Sequence, residues 1–233
     1  MFVRTLAAVT LAFALSTSAS ASTIVPGTSN PWLAGMPDGS TSRYGDAAPG
    51  QSPVEVLLAL MPGDILHFSA TGSTDHCDFG LCGFAEAEGD LVEAQPWSHA
   101  EGGENGIGDI IAPIDALLGV FLGPAQPNLS AEPGVVLDFG TLSSRVFASL
   151  SPLLKQPFFI GDGLRNDGLT LQGFIVPVGA TRLFLGTMDG YDWVNNAGSL
   201  DVSAAAVPEP ATWMLVGVGL LGVVRRRMVS AKR

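Results

Sequence analysis

Charge is scarce in this sequence, and positive charge is the scarcest. Of 233 residues only 14% are charged, with 11 Lys and Arg against 22 Asp and Glu. Six of the basic residues lie in the two end segments, namely Arg4, Arg225, Arg226, Arg227, Lys232 and Arg233. Residues 22–206 therefore hold five basic and 21 acidic side chains, a formal charge of −16. Because such a surface repels phosphate backbones and anionic lipid, we expect no nucleic-acid partner, and cations or neutral ligands are the natural candidates.

Motifs of hydrolytic enzymes are also lacking. Neither G-x-S-x-G nor H-E-x-x-H occurs, and no nucleophile motif flanks any of the three histidines. Carboxylates that could act on a glycosidic bond are concentrated between Glu86 and Glu93, but acids in a loop are usually solvated. The sequence therefore predicts that the protein is not an enzyme.

The N-terminus has the pattern of a secretory signal. Arg4 precedes the apolar run 6–15, which is followed by small residues ending in Ala19-Ser20-Ala21. A basic residue, a short apolar helix and an A-x-A cleavage site are typical of a signal peptide. We predict that residues 1–21 are removed and that the rest of the chain is exported.

The C-terminus carries a short apolar segment. This run, 211–224, lies between a Pro-Glu-Pro tripeptide and an arginine triplet, which consist of Pro208, Glu209, Pro210, Arg225, Arg226 and Arg227. Fourteen residues are fewer than the about 20 that span hydrocarbon, and the arginines stay on the cytoplasmic side. The pattern favours a transient anchor. An ordinary tail anchor is the alternative, because thin or tilted spans also occur.

This C-terminal arrangement resembles the PEP-CTERM sorting signal. The resemblance covers residues 207–233 and implies recognition by an exosortase, a membrane transpeptidase-like enzyme of Gram-negative bacteria that make exopolysaccharide. It further implies the secretion machinery as a partner and transient insertion of the C-terminal helix in the inner membrane. The final location would be the cell surface or the extracellular matrix.

The two cysteines are close together in the sequence. Cys77 and Cys82 are separated by residues 78–81. In an oxidising compartment we expect them to form a disulfide that closes a small loop. A zinc site with His76 is the alternative, but adjacent His and Cys side chains converge poorly on one tetrahedral ion.

The region 22–206 has the pattern of short strands separated by turns. With 47% hydrophobic residues, the composition excludes disorder, and no helical period extends beyond three turns. Eight segments have strand character and are bounded by Gly, Pro, Asn or Asp, at 54–60, 64–70, 117–122, 135–139, 157–160, 171–177, 182–187 and 199–205. We predict an all-β fold, an antiparallel β-sandwich in one domain, with a signal helix before it and a short hydrophobic helix after it.

A loop rich in oxygen ligands follows the predicted strand 182–187. Four such side chains lie within eight residues, namely Asp189, Asp192, Asn195 and Asn196. Calcium prefers six to eight oxygen ligands, so the loop suits this ion, although Asp, Asn and Gly also make good long turns. Tyr191 and Trp193 flank the carboxylates, and an apolar ring beside polar ligands is typical of a sugar site. The alternative for Trp193 is a place in the core.

The segment 182–202 resembles the C-terminal strand, loop and strand of the calcium-dependent galactophilic (PA-IL-like) lectins. Upstream segments at 62–72, 116–118, 160–163 and 174–177 fall in matching order. The resemblance implies a galactose-binding-like sandwich, calcium as the cofactor, and a saccharide or exopolysaccharide as the partner.

The resemblance also assigns residues. Asp189, Asn195 and Asn196 match the calcium-binding Asp and Asn-Asn pair, and His76 takes the position of a carbonyl donor. The loop is about one residue shorter than the lectin pattern and lacks its threonine, so Asp192 or Tyr191 takes that place. The implied sugar contacts are Asp189, Tyr191, Trp193, Asn195 and His99, with Asn105 as an alternative to His99.

We therefore expect an exported, exosortase-processed protein with a calcium-dependent, lectin-like domain. The missing threonine and the insertions at 77–105 and 128–155 leave an alternative open. In that alternative the protein is a structural component of the extracellular matrix that keeps the lectin-like fold without binding sugar.

Overall fold

A computed structural model describes residues 19–77, 79–90, 97–99 and 102–207. These residues form strands with one short α-helix, α1 (Leu142–Arg145), and 3₁₀ helices at Pro31–Leu33, Pro127–Leu129 and Trp193–Asn195. The strands are β1 Ala19–Pro26, β2 Val54–Glu55, β3 Ile65–Asp75, β4 Trp97–Ser98, β5 Ile110–Ala112, β6 Leu117–Leu122, β7 Leu137–Asp138, β8 Ser149–Leu150, β9 Pro157–Phe159, β10 Gly173–Ile175, β11 Arg182–Thr187 and β12 Ala197–Val207. In this part of the chain, no helix has the length and apolar character needed to cross a membrane.

Three sheets make up the fold. The largest has the strand order β1-β12-β3-β10-β8, the second β2-β11-β6-β9, and the third, small sheet β4-β5-β7. The two larger sheets face each other across a first core cluster, which includes Leu66, Phe68, Phe121, Phe158, Phe174, Leu183, Leu185, Leu200 and Val202. Alternate residues of β3 and β12 point into this cluster because side chains of a strand alternate between its faces.

Strand β6 is buried along its whole length. One face belongs to the first cluster, through Leu117 and Phe121, and the other to a second cluster, through Leu118 and Val120. The second cluster contains the two largest fully buried side chains of the described residues, Trp32 and Trp193. The four-stranded sheet is therefore covered on both sides, which explains why β6 is apolar throughout and why β11 holds the apolar run Leu183 to Leu185.

The prediction of an all-β fold is confirmed. Each of the eight predicted strands overlaps an observed strand, while β1, β4, β5 and β8 were not predicted. The prediction of purely antiparallel pairing needs correction, because β8 pairs with β10, and β5 with β7, in parallel. Both exceptions are two-residue contacts at the margins of a sheet. The specific likeness to the PA-IL-like sandwich stays a prediction.

The two predicted terminal helices lie outside the described residues, except for the last part of the signal segment. Residues 19–21 belong to β1, which pairs antiparallel with β12 from Ala19↔Ala206 to Pro26↔Ser199. The first described residues of β1 and the last of β12 therefore lie at the same end of two adjacent strands.

Four segments meet at the opposite end of these strands. Asp75, the last residue of β3, pairs with Ala197, the first of β12. Gly27 follows β1 and donates its N–H to the carbonyl of Gly198 at 3.0 Å. A Cβ at position 27 would lie 2.3 Å from the Ala197 carbonyl oxygen, so only glycine permits this approach. The loop after β11 is thereby brought against β1, β3 and β12.

Candidate functional site

The loop between β11 and β12 starts from a firmly held residue. Met188 is buried, its N–H donates to Ala116 O at 2.8 Å, and its carbonyl accepts from Asp115 N at 2.8 Å. Just before it, the Thr187 hydroxyl donates to Gly27 O at 2.7 Å. The backbone that presents Asp189 is therefore fixed from two sides, by the turn before β6 and by the end of β1.

Asp189 is a buried carboxylate of which one oxygen accepts hydrogen bonds and the other accepts none from the part of the chain that the structure describes. Its Oδ1 accepts from Gly190 N at 2.6 Å and from Tyr191 N at 3.4 Å. Its Oδ2 has no hydrogen-bond partner among the described residues. The Asn196 side chain lies beside this carboxyl, but its nitrogen donates to Gly27 O. Burial raises the pKa of Asp189 to about 7.

The two asparagines of the loop are oriented by their amide nitrogens. Asn195 Nδ2 donates to Asp192 Oδ2 at 3.2 Å, and Asn196 Nδ2 donates to Gly27 O at 3.1 Å. The Oδ1 atom of each is buried and lacks a partner within the described part of the chain. Each nitrogen has a fixed acceptor, so each side-chain oxygen is left free to accept. The backbone of Asp192 is in the left-handed region, with φ 68°, and its carboxylate holds the Asn195 side chain by the hydrogen bond given above.

A second buried carboxylate, which the sequence analysis missed, lies next to the loop. Asp115 Oδ2 accepts a hydrogen bond from His76 Nδ1 at 2.8 Å, while Oδ1 has no partner among the described residues. The Asp115 N–H donates to the carbonyl of Met188, so the backbone of Asp115 lies next to the residue that precedes Asp189. Burial raises the pKa of Asp115 and the His76 bond opposes this, whereas the same bond raises the pKa of His76. The His76 side chain therefore orients the Asp115 carboxylate by this hydrogen bond.

Taken together, four buried acceptor oxygens without partners lie in this region, on Asp115, Asp189, Asn195 and Asn196. Buried polar atoms in folded proteins are nearly always hydrogen-bonded, so such a group calls for a ligand that attracts oxygens. Carboxylate and carboxamide oxygens form the ligand set of calcium, a hard cation. The residues present therefore fit the calcium that the lectin resemblance implies.

Two of the predicted sugar contacts lie in the core. Trp193 and His99 are each only 1% exposed. Trp193 donates its Nε1–H to Thr187 O at 3.0 Å, and His99 stacks on Trp32 with ring centroids 4.0 Å apart. Burial lowers the pKa of His99 to about 4, which keeps it neutral. Neither ring offers a face to a ligand, so the prediction that they contact sugar does not fit this geometry. Asn105, the alternative, donates to Trp32 O.

Tyr191 is the predicted sugar contact that remains at the surface. Its side chain is 55% exposed, two residues after Asp189. Its ring lies 5.7 Å from the ring of Tyr44, which is also exposed. Tyr44 could not be predicted as part of this surface, because nearly 150 residues separate it from the loop.

The predicted disulfide between Cys77 and Cys82 is present. The alternative zinc site with His76 is therefore excluded in this state, because a disulfide carries no thiolate to bind the ion, although the three side chains do lie together. Asp75 accepts hydrogen bonds from Cys77 N at 3.0 Å and from Gly83 N at 2.6 Å, one on each side of the loop. Phe79 N donates to Asn195 O at 2.8 Å, which connects this loop to the candidate site.

The double variant Cys77→Ser/Cys82→Ser is expected to lose about 2 kcal/mol of unfolding free energy, because the cross-link restricts a short loop of the unfolded chain. Chemical denaturation of the variant and the wild type without reductant would measure this. Adding reductant should lower the stability of the wild type and leave the variant unchanged; equal stabilities without reductant would contradict the expectation.

The described carboxylates of the acidic insertion differ in exposure, since Glu86 is exposed and Glu88 is not. Glu88 is half-buried, and its Oε1 accepts from Asp162 N at 3.1 Å. Burial raises the pKa of Glu88 to about 7. Glu93 lies outside the described residues. The hydrogen bond between Glu88 and Asp162 therefore connects the insertion to the turn at Asp162.

Comparison with known proteins identifies the C-terminal segment. Residues 206–227 match the family model of the PEP-CTERM protein-sorting motif. This match confirms the predicted sorting signal and shows an exosortase substrate that is exported to the cell surface or beyond. The six predicted sorting residues all lie within the matched span, outside the described residues, and they are Pro208, Glu209, Pro210, Arg225, Arg226 and Arg227. Among curated proteins, none matches the chain.

Proposed function

We propose that the exported domain binds calcium and, through it, the hydroxyl groups of a saccharide, and that it performs no catalysis. The observation that carries the proposal is the group of four buried, unpartnered oxygens on Asp115, Asp189, Asn195 and Asn196. These residues would hold the ion, which would supply a positive centre that attracts sugar hydroxyls. His76 and Asp192 contribute as positioning residues, through Asp115 and Asn195.

The donor set favours calcium over softer or smaller ions. It contains oxygens alone, whereas zinc is bound mainly by thiolate and imidazole, and His76 Nδ1 is already hydrogen-bonded to Asp115. Magnesium demands near-ideal octahedral geometry, which two carboxylates and two amides of separate segments satisfy less readily than the looser calcium sphere. Extracellular modules use calcium at modest affinity, with dissociation constants of about 10⁻⁴ to 10⁻³ M.

A saccharide is the partner that suits the surroundings of the site. Four protein oxygens are fewer than the six to eight that calcium takes, so ligand hydroxyls can complete the sphere. The domain is strongly acidic, with 21 acidic and five basic side chains between residues 22 and 206, which favours a neutral partner. Tyr191 adds an exposed aromatic face close to Asp189.

The sorting motif supplies the setting for this activity. We propose that the chain is inserted transiently in the inner membrane of a Gram-negative bacterium by its C-terminal apolar helix and is then processed by exosortase. The exported domain would then associate with the exopolysaccharide that surrounds the cell. A neutral polysaccharide in that layer is the natural ligand.

Calcium is expected to raise the melting temperature of the full-length protein. At a hundredfold excess over the dissociation constant, a ligand of the folded state stabilises by about 2.7 kcal/mol, which corresponds to about 5–10 °C for a domain of this size. The measurement compares EDTA, calcium and magnesium, and a glycan array is then probed with and without EDTA. Unchanged melting temperatures in calcium would refute the metal site. A rise without glycan binding would favour the alternative, a matrix protein with no sugar site.

A further inference from the structure

The only two tyrosines of the chain lie side by side next to the candidate site. Tyr44 is 42% exposed and Tyr191 is 55% exposed. Their ring centroids are 5.7 Å apart and their planes are inclined by 50°. The rings come from two distant segments, the turn at 42–46 and the loop after β11. Together they present two neighbouring, exposed aromatic rings, and Tyr191 lies two residues from Asp189.

A buried carboxylate joins these two segments. Asp46 is 1% exposed, and its Oδ1 accepts from Val194 N, in the loop that carries Tyr191, at 3.0 Å. Its Oδ2 accepts from Asn30 Nδ2 at 3.1 Å and from the Ser42 hydroxyl at 3.3 Å. The turn is closed by Ser42 N donating to Asp46 O at 2.7 Å. Asp46 thus fixes Tyr44 relative to Tyr191 before any ligand arrives.

We propose that Tyr44 and Tyr191 form an aromatic platform for a second sugar unit, adjoining the unit that calcium binds. The ligand is then a neutral oligosaccharide or polysaccharide rather than a single sugar. This inference rests on the proposed function of the cation site. It adds to the lectin resemblance a residue, Tyr44, and a second sugar subsite.

Chemistry and energetics both favour a saccharide on this platform. A tyrosine ring packs against the apolar C–H face of a sugar, and its hydroxyl can donate to or accept from a sugar hydroxyl. Tyrosine also supplies a large contact area at low cost in side-chain entropy, and the Asp46 contacts reduce that cost further. The negative charge of the domain repels anionic saccharides, so we expect the ligand to be a neutral saccharide.

Tyr44→Ala is the variant that tests the platform. Titration calorimetry of the full-length protein in calcium would use neutral hexose oligosaccharides of one, two and four units. The wild type is expected to bind the two- and four-unit ligands more tightly than the single sugar. Tyr44→Ala should lose about tenfold for the longer ligands, which is about 1.4 kcal/mol, and bind the single sugar unchanged. Tyr44→Phe should retain most of the affinity, since it keeps the ring.

Val194→Ala is the matched control, because Val194 is 51% exposed on the loop that carries Tyr191 but has no ring. It should bind all three ligands as the wild type does. The platform is overturned if Tyr44→Ala binds the four-unit ligand like the wild type, or if the wild type binds all three ligands equally well. If calcium raises the melting temperature and no oligosaccharide binds the wild type, the sugar half of the proposed function fails and the platform fails with it.

Discussion

Asp189→Asn is expected to abolish the calcium-dependent rise in melting temperature and, in EDTA at pH 8, to be more stable than the wild type. The first effect follows because the variant replaces a charged calcium ligand by a neutral one. The second follows because the buried Asp189 carboxylate lacks a partner for Oδ2 among the described residues. A neutral amide at that place avoids the cost of burying a charge.

The stability gain should depend on pH with a definite sign. Burial raises the pKa of Asp189 from its ordinary value of 3.8 to about 7. Between these values the folded state keeps a proton that the unfolded state has lost, so the calcium-free wild type becomes less stable as pH rises from about 4 to about 7. At pH 8 the penalty reaches its full size, at most about 4 kcal/mol for about three pH units at 1.36 kcal/mol each. Asp189→Asn removes this contribution.

The measurement is the difference in unfolding free energy between variant and wild type, in EDTA, at pH 5 and at pH 8. Taking the difference cancels the contributions of the other carboxyls with raised pKa, among them Asp46, Glu88 and Asp115. Asp201→Asn is the control, because Asp201 is exposed on β12 and its loss changes the net charge equally. A calcium response retained in Asp189→Asn, or a variant less stable than the wild type in EDTA at pH 8, would contradict the account.

The sequence predicted strands where packing makes its pattern strong. Both faces of strands β6 and β11 are covered, so β6 is apolar throughout and β11 holds the apolar run Leu183 to Leu185, and their predicted bounds agree with the observed ones. Strand β1 was missed because Val25 is its only fully buried residue. Its place at the sheet edge comes from backbone pairing with β12, and backbone hydrogen bonds leave no pattern in the side chains.

The candidate site was predictable only where its residues are local in sequence. Asp189, Asn195 and Asn196 lie in one loop and were found together. Asp115 is 74 positions before Asp189, and only the pairing of its backbone with Met188 brings the two together. A single Asp before an apolar strand does not by itself indicate a ligand-binding residue. Likewise, the residues around Trp193 in the sequence do not show whether its ring is buried or exposed. It is buried because it packs near the rings of Trp32 and His99.

Trp32→Ala is expected to cost about 3–5 kcal/mol of unfolding free energy, the range for deleting a large buried aromatic side chain. Trp32 is fully buried, and its Nε1 donates to Gly108 O at 3.0 Å. Its ring stacks on His99 and lies 5.5 Å from the ring of Trp193. Alanine would leave a cavity beneath the loop that carries the candidate site and would also leave the Gly108 carbonyl without its donor.

The loss should appear as a fall of about 6–20 °C in melting temperature, at about 2–4 °C for each kcal/mol. Leu57→Ala is the control, because Leu57 is 88% exposed and its truncation should change stability by less than about 0.5 kcal/mol. Trp32→Phe should fall between the two, since it keeps an aromatic ring but not the Nε1–H donor. Because Trp32 and Trp193 pack together below the loop, Trp32→Ala should also weaken calcium binding in the molecules that remain folded. A Trp32→Ala variant as stable as Leu57→Ala would show that the second cluster does not support the loop.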